Sequence, residues 1–323
     1  MSKHPANTYA LVADIGGTNT RVALAHGRNV LPETIRKYPN TAFSDLESVL
    51  RQYIADEDGV DCIAACVALA GPVQNGVGEL TNLDWTINLA TLKHAANAET
   101  VALLNDLQAQ GHALGFIAPK YIADVVAGET AHTANTKLVI GVGTGFNAAP
   151  VYETAFGRVI PPSEVGHSSL TCRGSETLGL SEFVEGTQGF AAIEDVLSGR
   201  GLERVYRWHG AMAGDDTTKA AAKIMQDLMS GTDPRAKLAV RTFVRVLGTV
   251  VGNLALINLP FGGIYLVGGV ARAMRPYFDD YGFTESFADK GRFRDFMNQF
   301  SISVIEDDYA ALTGCACHLT APG

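Results

Sequence analysis

The chain is poor in cysteine, tryptophan and basic charge. Its 323 residues include only five cysteines and two tryptophans. Cys62 and Cys66 lie in an apolar run, Cys172 in a polar stretch, and Cys315 and Cys317 among small residues. An odd, sparse set with no CxxC pair and no His-x3-His argues against a disulfide framework. It reads instead as reduced thiols in a cytoplasmic protein. Lys and Arg number 25 against 34 Asp and Glu, a net charge of −9. An acidic surface argues against nucleic-acid and anionic-membrane partners. No signal peptide is expected, because the first apolar run is short and ends in Asp14. Only Val246 to Ala271 is long and free of charge, and Leu259-Pro260-Phe261-Gly262-Gly263 breaks it in two. It reads as a buried helix and a buried strand, not as a membrane span.

What is present suits a soluble globular protein with room for two domains: 47% of residues are hydrophobic and 18% charged. The stretch that organises the rest is residues 8–21. Tyr9 to Ala13 reads as a buried strand and ends at Asp14. Gly16 and Gly17 form a bend, Thr18, Asn19, Thr20 and Arg21 follow, and apolar residues resume at Val22. This predicts a strand–turn–strand hairpin with a carboxylate at its mouth. Glycine permits positive φ and close approach of backbone N–H groups to a ligand. N–H groups and short hydroxyls suit a polyphosphate, and the carboxylate suits a metal ion's water shell.

Along the chain, Asn29 to Tyr38 reads as extended. Ser44 to Ile54 reads as an amphipathic helix with Ser44 as N-cap. Cys62 to Leu69 reads as a strand covered on both faces, followed by the turn Ala70-Gly71-Pro72-Val73. Leu89 to Ala96 reads as helix, Val101 to Leu104 as strand ending in Asn105-Asp106, and Leu107 to Leu114 as helix. After a linker at 116–136 the pattern restarts. A strand, Lys137 to Ile140, leads into the glycine turn Gly141 to Gly145, and Ala148 to Tyr152 is apolar again. Gly157 to Gly174 reads as a polar loop. Leu180 to Leu197 reads as helix ended by Ser198-Gly199-Arg200-Gly201. Thr217 to Leu228 and Pro234 to Ile257 read as helices, and Ile264 to Val267 as a strand turning at Gly268-Gly269 into a helix. Ile302 to Ile305 reads as the last strand, with a small-residue helix at 309–319. The pattern is α/β with mixed sheets. Two glycine-bearing hairpins, one in each half, predict two lobes with a cleft between them. The expected domains are 1–115, with about 306–323 packing back on it, and 116–305.

Four features fall in a specific order: Asp14-x-Gly16-Gly17-Thr18, Asn105-Asp106, Gly143-Thr144-Gly145, and Gly268-Gly269 before a helix. With Thr81-Asn82-Leu83-Asp84-Trp85, Glu164-Val165-Gly166-His167, Glu194-Asp195-Val196-Leu197-Ser198-Gly199 and Asp289-Lys290-Gly291-Arg292-Phe293, the sequence resembles the bacterial glucokinases over nearly its whole length. These belong to the superfamily of sugar kinases, actin and chaperone ATPases. The resemblance implies a two-lobed actin-like (ribonuclease H-like) ATPase fold with an interlobe cleft. It also implies transfer of the γ-phosphoryl group of ATP to the 6-hydroxyl of glucose. An alcohol is a weak nucleophile, so a carboxylate must accept its proton; Asp106 matches the family's base. Asn105, Glu164, His167 and Glu194 match its sugar ligands. Asp14, Gly16, Gly17, Thr18, Asn19, Gly143, Thr144 and Gly145 match its phosphate-binding turns, and Gly268 and Gly269 its adenosine site. Mg²⁺ is implied with ATP, held by Asp14 through water. A homodimer is also implied.

There are departures from the family pattern. Phe146-Asn147 stand where a small aliphatic residue and another glycine are usual, and Val165 where a glycine is common. The loop after His167 holds only Cys172, so the zinc motif of related sugar kinases and repressors is not expected. The same chemistry on mannose, fructose or an amino sugar stays open, as does a sugar-sensing regulator without transfer. Such regulators often carry a DNA-binding helix pair, for which residues 1–7 leave no room. The Glu164, His167 and Glu194 set speaks against an actin-like ATPase or chaperone.

Overall fold

A computed structural model describes residues 4–80, 83–128 and 136–321. Thr81-Asn82, residues 129–135 of the expected linker and the last two residues lie outside that set. The chain divides into two compact units. One holds the residues up to Pro119, Glu153–Pro162 and the segment from Asp307 on; the other holds Lys120–Tyr152 and Ser163–Glu306. Glu153–Pro162 thus clusters with the first unit although it lies within 116–305. Arg158 is the physical reason, since its Nη1 donates to the carbonyls of Gly111, His112 and Leu114 at 3.0, 2.8 and 2.7 Å.

The first unit is built on a sheet in the order Asn29–Val30, Asn19–His26, Tyr9–Ile15, Cys62–Leu69, Thr100–Asn105, with Arg36–Pro39 also pairing Asn19–His26. Tyr9–Ile15 runs antiparallel to Asn19–His26 and parallel to Cys62–Leu69, which runs parallel to Thr100–Asn105. In register, Ile15 lies opposite Leu69 and Leu69 opposite Asn105, so three parallel strands end together. Side chains alternate across a strand. Leu11, Ala13 and Ile15 therefore pack on one face with Leu50, Tyr53 and Leu92, from the helices Leu46–Asp56 and Leu89–Ala96. Val12, Cys66 and Ala68 pack on the other with Leu312, Cys315 and Ala316 of the C-terminal helix Ala310–Leu319.

The second unit carries the strands Ile122–Val126, Ile302–Ile305, Ile264–Val267, Lys137–Val142 and Phe146–Thr154, hydrogen-bonded side by side in that order. Gly141 lies opposite Val267, so the glycine turn after Val142 and the turn at Gly268 leave the sheet at one edge. The helix Pro234–Asn258 runs through this unit's core, burying Phe243, Leu247 and Val251 against Phe278, Phe283 and Phe287. It is long and apolar enough to cross a membrane, but 67% of its most apolar window is buried inside the protein.

Several local expectations are corrected. Asp45, not Ser44, caps the Leu46–Asp56 helix, its Oδ1 accepting the Ser48 N–H at 2.7 Å. A 3₁₀ turn at Pro32–Thr34 interrupts the extended segment at 29–38. The helix expected at 180–197 spans Gly174–Gln188 and stops at Gly189, whose φ of +81° is left-handed. Ser198 then begins a helix, Gly199–Ala211, with its hydroxyl accepting the Gly201 N–H at 3.0 Å. The expected linker contains the strand Ile122–Val126.

Candidate active site

In the first unit the predicted residues gather where the parallel strands end. Asp14, half-buried, pairs across the hairpin with Arg21, whose Nη1 donates to Oδ2 at 3.1 Å. Burial pushes the Asp14 carboxyl above its ordinary value, and the Arg21 guanidinium pulls against that shift. The turn closes with Gly16 N–H donating to Asn19 O at 3.0 Å, leaving Gly17 and Thr18 exposed. A residue the sequence did not suggest holds this turn open. Asn40, buried, donates from Nδ2 to Gly16 O at 2.8 Å and from its backbone N–H to Thr18 O at 2.9 Å. Its Oδ1 accepts the Thr20 hydroxyl at 2.9 Å. Both turn carbonyls are thereby engaged, and Gly17 and Thr18 stay exposed at the tip.

Asn105 ends the third parallel strand and caps the helix Asp106–Ala113. Its Oδ1 accepts the Leu107 N–H at 2.9 Å, and Gln108 Oε1 accepts the Asn105 N–H at 3.0 Å, completing a capping box. Asn105 Nδ2 reaches the Gly71 carbonyl at 2.9 Å, tying the cap to the turn after the neighbouring strand. Gly71 is required there, because a Cβ would lie 2.0 Å from the Glu79 carbonyl oxygen. Asp106, first residue of the helix and half-buried, has Oδ1 fixed by the Leu107 N–H at 2.8 Å.

In the second unit Gly143, Thr144 and Gly145 form a turn closed by Gly143 N–H to Gly145 O at 2.9 Å. Gly199 N–H donates to Gly143 O at 2.9 Å, so the start of the Gly199–Ala211 helix holds it from behind. Glu194 joins this turn to the loop of Glu164 and His167. Its Oε2 accepts the Phe146 N–H at 2.9 Å, and its own N–H donates to Gly166 O at 2.9 Å. Glu194 thus has one carboxylate oxygen engaged by the protein. A Cβ at Gly145 would sit 2.5 Å from that oxygen, and one at Gly166 would sit 1.9 Å from Phe146 O. Glu164 and His167 are exposed on this loop, with the His167 N–H donating to Glu164 O at 3.1 Å. Asn147, which the sequence marked only as a departure, contacts the same loop through its side-chain amide. Gly268 has φ +104°, where a Cβ would lie 2.5 Å from Val142 O, and Gly269 after it is exposed.

Asp14 to Asn19, Asn105 and Asp106 therefore form one cluster, and Gly143 to Gly145, Glu164, His167, Glu194, Gly268 and Gly269 another, each within its own unit. Among the described residues no group of three or more His, Cys, Asp or Glu side chains is placed to hold a metal ion. All five cysteines are free thiols; burial pushes Cys62 up to about 12 and raises Cys317, and a Cys66 hydrogen bond with burial raises Cys315. Thiols held protonated in this way are poor nucleophiles.

A family model described as Glucokinase matches residues 11–322. A glucokinase of Chromobacterium violaceum is 31% identical over 310 residues, covering 96% of this chain and 88% of that protein. The crystal structure of a glucokinase from an Antarctic psychrotroph matches with a TM-score of 0.86 at 29% identity, covering 97% of this chain and 98% of that one. A ROK family glucokinase from Streptomyces griseus, solved with glucose and AMPPNP, shares the fold at a TM-score of 0.67 and 18% identity, covering 98% of this chain and 100% of that one.

Proposed function

The chain belongs to the glucokinase family, with the actin-like ATPase fold of its relatives, and on that premise we propose that Asp106 is the general base of its reaction. The activity is ATP-dependent phosphorylation of glucose. The observation that carries the assignment is the common end of the three parallel strands. Their register brings Asp14 and its phosphate-type hairpin to the same sheet edge as Asn105 and Asp106. Open α/β sheets bind ligands at that edge. Asp106 has one oxygen fixed by Leu107 N–H, which sets the direction of its carboxylate.

In the reaction the glucose O6–phosphorus bond forms as the bond from the γ-phosphorus to the β–γ bridging oxygen breaks. The O6 proton passes to Asp106, and ADP leaves with the electron pair of the broken bond. Asn105 orients the sugar beside the base. Glu164, His167 and Glu194 take sugar hydroxyls, each of which is both donor and acceptor. Gly16, Gly17, Thr18 and Asn19 on one hairpin, and Gly143, Thr144 and Gly145 on the other, hold the phosphates. Gly268 and Gly269 let adenosine lie on bare backbone.

Mg²⁺ bound with ATP neutralises charge on the phosphate oxygens. Asp14 fits the limited role of holding its water shell. One carboxylate, partly neutralised by Arg21, is too little for an all-protein cage but suits a metal that keeps its waters. Membership in the family also supports a cytoplasmic homodimer, and the free thiols suit a reducing compartment; sedimentation of the purified chain tests the dimer.

The deciding experiment pairs a hexose panel, assayed with ATP and Mg²⁺, against Asp106→Asn. Loss of a general base commonly costs about 10²–10⁴-fold in rate. Asp106→Asn is expected to lose kcat on that scale while glucose still binds by calorimetry. Near-normal turnover would refute the assignment, and stimulation of ADP formation only by another hexose would move the substrate.

A further inference from the structure

We propose that Asn147 is a positioning residue for Glu164, presetting that carboxylate for the sugar. The proposal rests on the reading of Glu164 as a sugar ligand given above. Asn147 is the second residue of the Phe146–Thr154 strand, directly after the phosphate turn, and is half-buried. Its Oδ1 accepts the Val165 N–H at 3.1 Å and the Ala148 N–H at 2.8 Å. Its Nδ2 donates to the Ser163 carbonyl, and to Glu164 Oε2 at 3.5 Å. One side-chain amide therefore engages three consecutive loop residues, Ser163, Glu164 and Val165.

The network also fixes which way the amide faces. Asparagine offers two acceptor lone pairs and two N–H donors. Both N–H partners, Ala148 and Val165, lie at the oxygen, and both oxygen partners, Ser163 and Glu164, lie at the nitrogen. A flipped amide would set oxygen against oxygen and NH₂ against N–H. The downstream half of the loop is held through Gly166, and Ser168 Oγ donates to the Val165 carbonyl at 2.7 Å. Gly166 lies so close to Phe146 O that a Cβ would stand 1.9 Å away, and Glu194 N–H grips Gly166 O at 2.9 Å. Asn147 supplies the grip for the upstream half.

Glu164 is exposed, and a long exposed carboxylate has rotamer freedom to lose on binding. A donor at one of its oxygens removes part of that loss beforehand. The Asn147 bond falls on Oε2 and so leaves Oε1 for the sugar.

The test is a set of variants, Asn147→Ala, Asn147→Asp, Glu164→Ala and Asn147→Ala/Glu164→Ala, measured for glucose KM, ATP KM, kcat and melting temperature. Asn147→Ala is expected to raise glucose KM about tenfold, the scale of losing a hydrogen bond to a charged group, and to keep the wild-type ATP KM. Asn147→Asp, nearly isosteric, keeps the acceptor but turns the donor into a like charge, so its glucose KM rises further than that of Asn147→Ala. The double variant binds glucose no more weakly than Glu164→Ala, because two residues acting as one unit are not additive. Wild-type glucose KM in both Asn147 variants overturns the proposal. Full additivity in the double variant, or equal rises in glucose and ATP KM, overturns it as well, since Asn147 would then act on the fold at large. Unchanged glucose affinity in Glu164→Ala would instead remove the sugar-ligand reading itself.

Discussion

Gly314→Ala probes how closely the C-terminal helix is fitted to the helix that begins at Asp106. A Cβ on Gly314 would lie 1.7 Å from the Ala109 carbonyl oxygen and 2.6 Å from its carbon. Even a close C–H···O contact needs roughly 3.3 Å between carbon and oxygen. The two helices must therefore separate by about 1.5 Å, because the atom in the way is backbone and cannot turn aside. That movement also loosens Leu312, Cys315 and Ala316 from Val12, Cys66 and Ala68. Overpacking of this kind costs about 1–3 kcal/mol, and the backbone contact puts it at the upper end. Against it, alanine gains about 1 kcal/mol over glycine inside a helix. The balance is a loss of about 2 kcal/mol, or a fall of roughly 4–8 °C in melting temperature for a body of this size. Ala109 lies on the same short helix as Asp106, so kcat should fall more than glucose affinity; misplacing a catalytic group by about 1 Å can cost about 10²-fold. Thermal melts followed by circular dichroism, with steady-state kinetics on the same samples, measure both. A melting temperature equal to or above wild type would refute the reasoning, since helix propensity would then outweigh a clash that the geometry makes dominant.

Asn40→Ala removes the clamp on the first hairpin and leaves the Gly16 carbonyl and the buried Thr20 hydroxyl without their partner. The expected cost is about 2 kcal/mol in urea unfolding, with a higher ATP KM and unchanged glucose affinity; a wild-type ATP KM would count against the hairpin as a phosphate cradle. His112 is buried, with Nε2 at 3.1 Å from His318 Nδ1, and burial, then the charges of His318 and Arg158, lower it to about 3, Glu153 opposing. The unfolded chain takes up this proton near pH 6.5 and the folded chain does not, so stability falls as pH drops from about 6.5 toward 3. At pH 5 the loss from this residue is about 2 kcal/mol. Unfolding at pH 7 and pH 5 should show a smaller acid loss in His112→Gln than in wild type, and equal losses would refute the origin.

Much of the fold was legible because it rests on continuous apolar runs. Cys62–Leu69, Ile264–Val267 and Ile302–Ile305 are strands with the bounds the sequence predicts, as Leu89–Ala96 is a helix. Strands this apolar leave few polar positions to blur their ends. The misreading at 180–197 has a specific cause. Serine caps helix starts and glycine caps helix ends, so Ser198-Gly199 fits either in sequence; in the structure the Ser198 hydroxyl caps a start, and Gly189 has already ended the preceding helix. Ile122–Val126 escaped because it is an edge strand with no buried residue, Asp124 being exposed and the others half-buried.

The site divides along a similar line. Asp14, Asn105, Asp106, Glu164 and Glu194 stand out in the sequence because polar groups at strand ends and in glycine-bearing loops break the apolar runs. Their supports do not stand out, since a hydrogen bond between distant residues leaves no periodicity: Asn40 grips Gly16 from 24 residues away, and Asn147 reaches Ser163 across 16. The departure Phe146-Asn147 makes the point most sharply. At Phe146 the backbone does the local work, its N–H on Glu194 and its carbonyl against Gly166, so the side chain is free to answer to the core, where it is buried with Ile140 and Val142. At Asn147 the side chain itself does the work, facing the loop of Glu164. Two adjacent departures therefore have unrelated causes, one in packing and one in the placement of a ligand, and the melting temperature should follow changes at Phe146 while glucose KM follows changes at Asn147.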